Sequence, residues 1–108
     1  MANTDLVFYV KLHVRPECVD EWKRAVNDIV DRMSGEEAFV ACYLHQDAQD
    51  PNLFTLYERW REPSVEAFLK HQAKPYRAAY EARLPDLLAR PREAAVLTPI
   101  REWFKSAR

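Results

Sequence analysis

Between positions 53 and 80 the chain reads Leu-Phe-Thr-Leu-Tyr-Glu-Arg-Trp, then Arg-Glu-Pro-Ser, then a segment carrying Phe68, His71, Tyr76 and Tyr80. These residue types can handle protons. Histidine exchanges protons near neutrality, with an unperturbed pKa of ~6.5. His71 is therefore a candidate general base or hydrogen-bond partner for a substrate. The competing reading is a helix-edge histidine that caps a loop or pairs with Glu58. Glu58 lies among aromatic residues, where a carboxylate must be paired or hold its proton more tightly. It is a candidate to orient His71 or polarise a substrate hydroxyl, or else a structural acid bridging to Arg59, Arg61 or a helix. Trp60 offers a flat wall for a planar ring, and also ordinary core packing. Tyr43, Tyr57, Tyr76 and Tyr80 offer phenolic hydrogen bonds, with Tyr9 and His13 as further lining. The run Lys70-His71-Gln72-Ala73-Lys74, with Arg77, is locally basic. It reads as a solvated face or as a rim that attracts an anionic substrate.

Each of these residues needs an element to hold it. Residues 6–14 alternate, with Leu6, Phe8, Val10, Leu12 and Val14 on one face and Val7, Tyr9, Lys11 and His13 on the other. Pro16 suits a first helical turn. Val19, Trp22, Val26, Ile29, Val30 and Met33 follow at spacings of three and four, as an amphipathic helix requires. Gly35 is expected to cap that helix with positive φ. Residues 38–46 form a second strand, with Phe39, Ala41, Tyr43 and His45 expected on one face. Asp47 to Asn52 reads as a turn. Residues 53–60 form a third strand, apolar on both faces. Pro63-Ser64 opens a second helical region that Pro75 breaks and Pro85 kinks again. Residues 92–103 are expected to be the last strand, at an edge or with a bulge because Pro99 cannot donate to a ladder.

The order β-α-β-β-α-β predicts an α+β, ferredoxin-like, four-stranded antiparallel sheet with both helices on one face. The first and third strands would be central. The other face is expected to carry Tyr, His, Trp and apolar residues, more than water tolerates, so a homodimer closing a barrel-like space is expected.

Composition narrows the function classes. The 108 residues, 48% of them hydrophobic, make one domain over 1–108. Sixteen basic and seventeen acidic residues are interleaved, giving a formal charge of −1. No basic footprint for nucleic acid is present. The single glycine excludes a Gly-rich phosphate loop. No apolar run approaches the ~20 residues a membrane helix needs. The Met-Ala-Asn-Thr-Asp that precedes Leu6 is too short and polar for a signal peptide. Cys18 and Cys42 read as reduced thiols, so a cytoplasmic protein is expected. His13, His45 and His71 lack ligand spacing, and no metal site is expected.

The strand Phe54-Thr-Leu-Tyr-Glu-Arg-Trp60 and the spacing onward to Phe68 and His71 resemble the pattern Tyr-Glu-x-Trp…Ala-Phe-x-x-His of the antibiotic biosynthesis monooxygenase family, of the dimeric α+β barrel group. The resemblance covers about the whole domain. It implies a homodimer with one pocket per subunit, between the sheet and the second helical region. It also implies a cofactor-free oxygenase that uses O2 on a quinol or phenolic small molecule, with His71 and Glu58 catalytic. Related haem-degrading enzymes use an Asn on the first strand, which this chain lacks, and His71 stands where their Trp would be. Two alternatives share the fold: an isomerase or other proton-transfer enzyme, and a non-enzymatic ligand-binding dimer.

Overall fold

The computed structural model describes residues 5–105, so the expectation about residues 1–4 lies outside it. The elements are β1 (Leu6–His13), a 3-10 turn (Pro16–Cys18), α1 (Val19–Met33), β2 (Phe39–Gln46), β3 (Leu53–Trp60), α2 (Val65–His71), α3 (Pro75–Leu87) and β4 (Glu93–Leu97). The strands form one antiparallel sheet in the order β2-β3-β1-β4. The expected ferredoxin-like α+β architecture is present, with β1 and β3 central.

Local chemistry sets the boundaries. The Asp47 carboxylate accepts the backbone N–H groups of Gln49 and Asp50, turning the chain between β2 and β3. Ser64 caps α2 by accepting the Ala67 N–H at 3.1 Å. Pro75 occupies the first turn of α3, where no N–H is required. It separates α2 from α3, whereas Pro85 sits inside α3 without ending it.

The core lies between the helices and one sheet face. Trp22, Val26, Ile29 and Met33 of α1 meet Val10, Leu12, Phe54, Leu56 and Trp60 of the sheet. Trp60 packs edge-on against Phe39, with ring centroids 5.3 Å apart. It also packs against Phe68 at 5.1 Å. Such pairs add to the burial of large apolar area.

Three expectations are corrected. Gly35 does not adopt positive φ, because α1 ends through Ser34 in a right-handed conformation. Phe39 does not share a face with Tyr43. It pairs with Trp60 while Ala41 pairs with Arg59, so a bulge at Val40 moves Phe39 to the helix side. The last strand ends at Leu97 rather than 103, and Pro99 follows it.

Beyond Leu97 the chain returns across the far face of the sheet. Glu102 bonds the guanidinium of Arg59, whose Nε also donates to Asp5 at 2.6 Å. Val7 lies between Leu97 and Arg59 in the register. The segment that carries Glu102 back to Arg59 therefore passes over Val7, which is 1% exposed.

Candidate functional site

The alternation of β3 decides which groups face the helices. Phe54, Leu56, Glu58 and Trp60 point inward, and Glu58 is the only charged member of that row. It lines a cavity of about 190 Å³ between the sheet, α1, α2 and α3. Apolar side chains from Phe8, Ile29, Met33 and Phe68 form most of its wall, and Arg77, Tyr80 and Arg92 complete the polar part.

The carboxyl of Glu58 is 7% exposed and accepts the indole N–H of Trp60 at 3.1 Å. Burial pushes its pKa up from the ordinary carboxylate value; the Trp60 bond and the nearby charges of Arg77 and Arg92 pull the other way. The two guanidinium groups share one carboxylate. Arg92 donates to Glu81 Oε1 at 2.6 Å, and Arg77 Nε lies 3.3 Å from Oε2. Arg77 also donates to Gln72 at 3.3 Å and stacks over the Phe68 ring. Tyr80 accepts the indole N–H of Trp22 at 3.2 Å. Burial raises its pKa. Cys42 pairs with Glu58 across the β2–β3 ladder, and burial, with the Glu58 charge adding to it, pushes its thiol up to about 12. A thiol so raised stays protonated and is a poor nucleophile.

The residues singled out from the sequence divide among three places. Glu58 and Tyr80 line the cavity, whereas Trp60, fully buried behind Glu58, packs in the core and forms no wall of it. His71 lies outside it, in a cleft with Glu36, Arg61, Glu62 and Lys74. Its Nδ1 is 2.8 Å from Oε2 of Glu62, a carboxylate buried to 3% exposure, while the imidazole is 63% exposed. Its partner is therefore Glu62 and not Glu58. Tyr76 is held beside this cleft by a hydrogen bond to Glu36. Tyr9, Tyr57, Tyr43 and His13 stand on the far face of the sheet. Tyr9 pairs with Tyr57 and Tyr57 with Tyr43, giving a row across three strands. His13 lies 3.5 Å from Glu93 and contacts Arg90.

Arg92, Glu81 and Trp22 join the site without having been singled out for it. The spacing of Arg77 and Glu81, one turn apart on a helix, is a readable sign of that pair. Nothing local in the sequence joins Arg92 to it. Among the described residues no group of three or more His, Cys, Asp or Glu side chains is placed to hold a metal ion. No helix among them is long and apolar enough to cross a membrane.

The pattern of the antibiotic biosynthesis monooxygenase family matches residues 6–83 of this chain. The chain belongs to that family. The resemblance carried by Tyr57-Glu58, Trp60 and Phe68…His71 thus holds at family level. Solved structures agree on the fold of this antibiotic biosynthesis monooxygenase family member. Rv0793 from Mycobacterium tuberculosis is 24% identical, with a TM-score of 0.80 over 91% of this chain and 97% of its own. PA3566 from Pseudomonas aeruginosa is 22% identical, with a TM-score of 0.80 over 94% of this chain and 99% of its own. A Nitrosomonas europaea protein, named as a candidate antibiotic biosynthesis monooxygenase, is 19% identical, with a TM-score of 0.82 over 93% of this chain and 94% of its own. At these identities the likeness is one of fold. No curated protein matches the sequence significantly.

Proposed function

We propose that the protein is a cofactor-independent monooxygenase that oxidises a quinol or phenolic small molecule with O2, and that Glu58 is its base. The observation that carries this reading is a buried carboxyl, its pKa raised by desolvation, in an apolar cavity beside two arginines. A base whose pKa moves toward the working pH is better matched to proton transfer than an ordinary surface carboxylate. Family membership supports the oxygenase class, and the mostly apolar wall supports an aromatic ligand.

The chemistry balances without an external reductant. A phenol passes its hydroxyl proton to Glu58, while the field of Arg77 and Arg92 favours the phenolate. The phenolate gives one electron to O2, and the resulting radical pair combines at a ring carbon to form a peroxide. Cleavage of the O–O bond leaves one oxygen as a new carbonyl. The other departs as water with two hydrogens from the substrate. The substrate supplies all four electrons that O2 accepts.

The working unit in this reading is a homodimer. Support comes from Tyr9 and Tyr43 at the two ends of the tyrosine row and from Ile100, Trp103 and Phe104, all exposed in the single chain. An apolar face of this extent favours burial against a second copy.

Aerobic incubation with a hydroquinone, following O2 uptake, tests the reading. Uptake that falls by about 10²-fold or more in Glu58→Gln is the expected result. Uptake unchanged in that variant removes Glu58 as base. Proton exchange into the substrate with no O2 consumed points to a proton-transfer enzyme instead.

A further inference from the structure

A second space lies where α3 gives way to β4, and its chemistry differs from that of the central cavity. The connection between the two elements is pinned to the end of β1. Leu88 forms a β-bridge with Val14, the Ala89 N–H donates to the His13 carbonyl at 2.7 Å, and the Arg15 N–H donates to the Leu87 carbonyl at 2.9 Å. Beside this connection runs a groove of about 430 Å³, a size common for small-molecule sites. The nearly buried Leu84 and Leu88, with Pro91, give it an apolar lining. Arg15, Arg90 and Arg92 line it as well. Each guanidinium is held in place. Arg15 Nε donates to the Leu88 carbonyl at 3.1 Å, Arg90 donates to His13 Nδ1 at 3.2 Å, and Arg92 is paired to Glu81. A guanidinium has five N–H donors and accepts nothing, so His13 accepts at Nδ1 and turns Nε2 toward Glu93, 3.5 Å away. Among the described residues Glu81 is the only carboxylate ion-paired to any of the three arginines, and Arg77 shares it. Three arginines against one glutamate leave the lining with two net positive charges.

We propose that this groove is a second binding site, for a small organic carboxylate with an apolar body, the carboxylate taken by the three guanidinium groups and the body laid on Leu84, Leu88 and Pro91. The planar donor fork of arginine matches a carboxylate with two parallel hydrogen bonds. It matches inorganic phosphate equally well. The apolar lining decides between them, because phosphate leaves that surface in water and brings a second negative charge toward Glu81. A neutral hydrocarbon, conversely, leaves the arginine donors unused. Arg92 lines both the groove and the central cavity, whereas Arg15 and Arg90 belong to the groove alone. The two sites therefore adjoin through one guanidinium and are separable by mutation. Binding here requires neither O2 nor the chemistry proposed for Glu58.

Isothermal titration calorimetry with 4-phenylbutyrate at neutral pH tests the site, with 4-phenylbutanol and inorganic phosphate as comparison probes. The carboxylate is expected to bind at least about ten-fold more tightly than either, as for one hydrogen bond between charged groups or a buried apolar body. Arg90 is exposed and meets only His13, so Arg90→Gln should keep its fold by circular dichroism. That variant is expected to bind 4-phenylbutyrate about ten-fold more weakly. Arg24→Gln makes the same charge change on the exposed side of α1, and solvent screening should keep its affinity within about two-fold of the wild type. Arg90→Gln binding as tightly as the wild type would put the carboxylate elsewhere, in the central cavity or on the surface, and overturns the inference. Phosphate binding as tightly as 4-phenylbutyrate would mean that the groove reads charge alone. Equal binding of 4-phenylbutanol would mean that it reads apolar surface alone. Either result overturns the organic carboxylate, and failure of 4-phenylbutyrate to bind the wild type overturns the site. Absence of O2 uptake removes the oxygenase reading and leaves this one standing.

Discussion

Trp60 donates its indole N–H to Oε1 of Glu58 across 3.1 Å, from two positions further along the same inward face of β3. The bond favours the ionised carboxyl and so opposes the upward push of burial. Trp60→Phe removes the donor while keeping an aromatic ring. The pKa of Glu58 should then rise further, and the acidic limb of the pH–rate profile should move to higher pH. Comparing O2-uptake profiles of the two proteins checks this. A stability loss of about 1–3 kcal/mol should accompany it, from the smaller ring and the unmade bond.

Glu58 also makes stability depend on pH. Its pKa is raised in the folded protein. Between the unfolded value, near ~4.3, and that raised value the folded state binds more protons than the unfolded one. Stability contributed by Glu58 is thus complete below the unfolded pKa and is lost as pH rises through the folded one. Glu58→Gln keeps an acceptor for Trp60 and cannot ionise. Its thermal midpoint should fall less than that of the wild type between pH 4 and neutrality. Parallel slopes for the two proteins would contradict the assignment.

His71 and Glu62 give a separate structural test. Glu62 is buried, and the imidazole is the group that meets it. His71→Ala leaves that carboxylate without this bond, at a cost of about 1–3 kcal/mol. Glu62→Ala in the same chain removes the orphaned group. The double variant should therefore be less destabilised than the two single losses added together, by about 0.5–3 kcal/mol. Urea denaturation of the four proteins measures this coupling. Additive losses would mean that the pair does not interact in solution.

The period-2 pattern of β1 and β3 made their faces legible, because each core-facing residue in them is apolar except Glu58. β2 departs from its residue pattern at one position for a physical reason. A bulge at Val40 inserts one residue without changing the alternation of residue types, so Phe39 appears to belong with Tyr43 when it packs on Trp60. Glu58 and Tyr80 were readable as neighbours because the strand and the helix that carry them adjoin in sequence, whereas Trp60, on the same face of β3, is taken up by the core. Arg77 was visible only as part of a basic stretch. Arg92 was invisible, since its place beside Arg77 depends on β4 pairing with β1. His71 meets neither Glu58 nor a loop but Glu62, four residues beyond Glu58, past the strand's end and away from the cavity. Side-chain direction at a strand terminus decides that choice, and residue type does not encode it.

The far face yields the last prediction. Tyr9, Tyr57 and Tyr43 lie side by side across β1, β3 and β2, and the Tyr43 and Tyr57 rings are 6.0 Å apart. Tyr43 ends the row and is 56% exposed in the single chain. Its replacement by glutamate therefore costs the isolated subunit little, within about 0.5 kcal/mol for a surface position. In a dimer built on this face the same carboxylate would enter an apolar interface without a partner. An uncompensated charge there costs several kcal/mol. Tyr43→Glu should thus remain folded by circular dichroism and sediment as a monomer, where the wild type sediments as a dimer. Arg24→Glu, on the exposed side of α1, should leave the dimer intact and so controls for the charge change. A dimeric Tyr43→Glu would place the contact elsewhere, and a monomeric wild type would mean that the tyrosine row and the segment clamped by Arg59 face solvent.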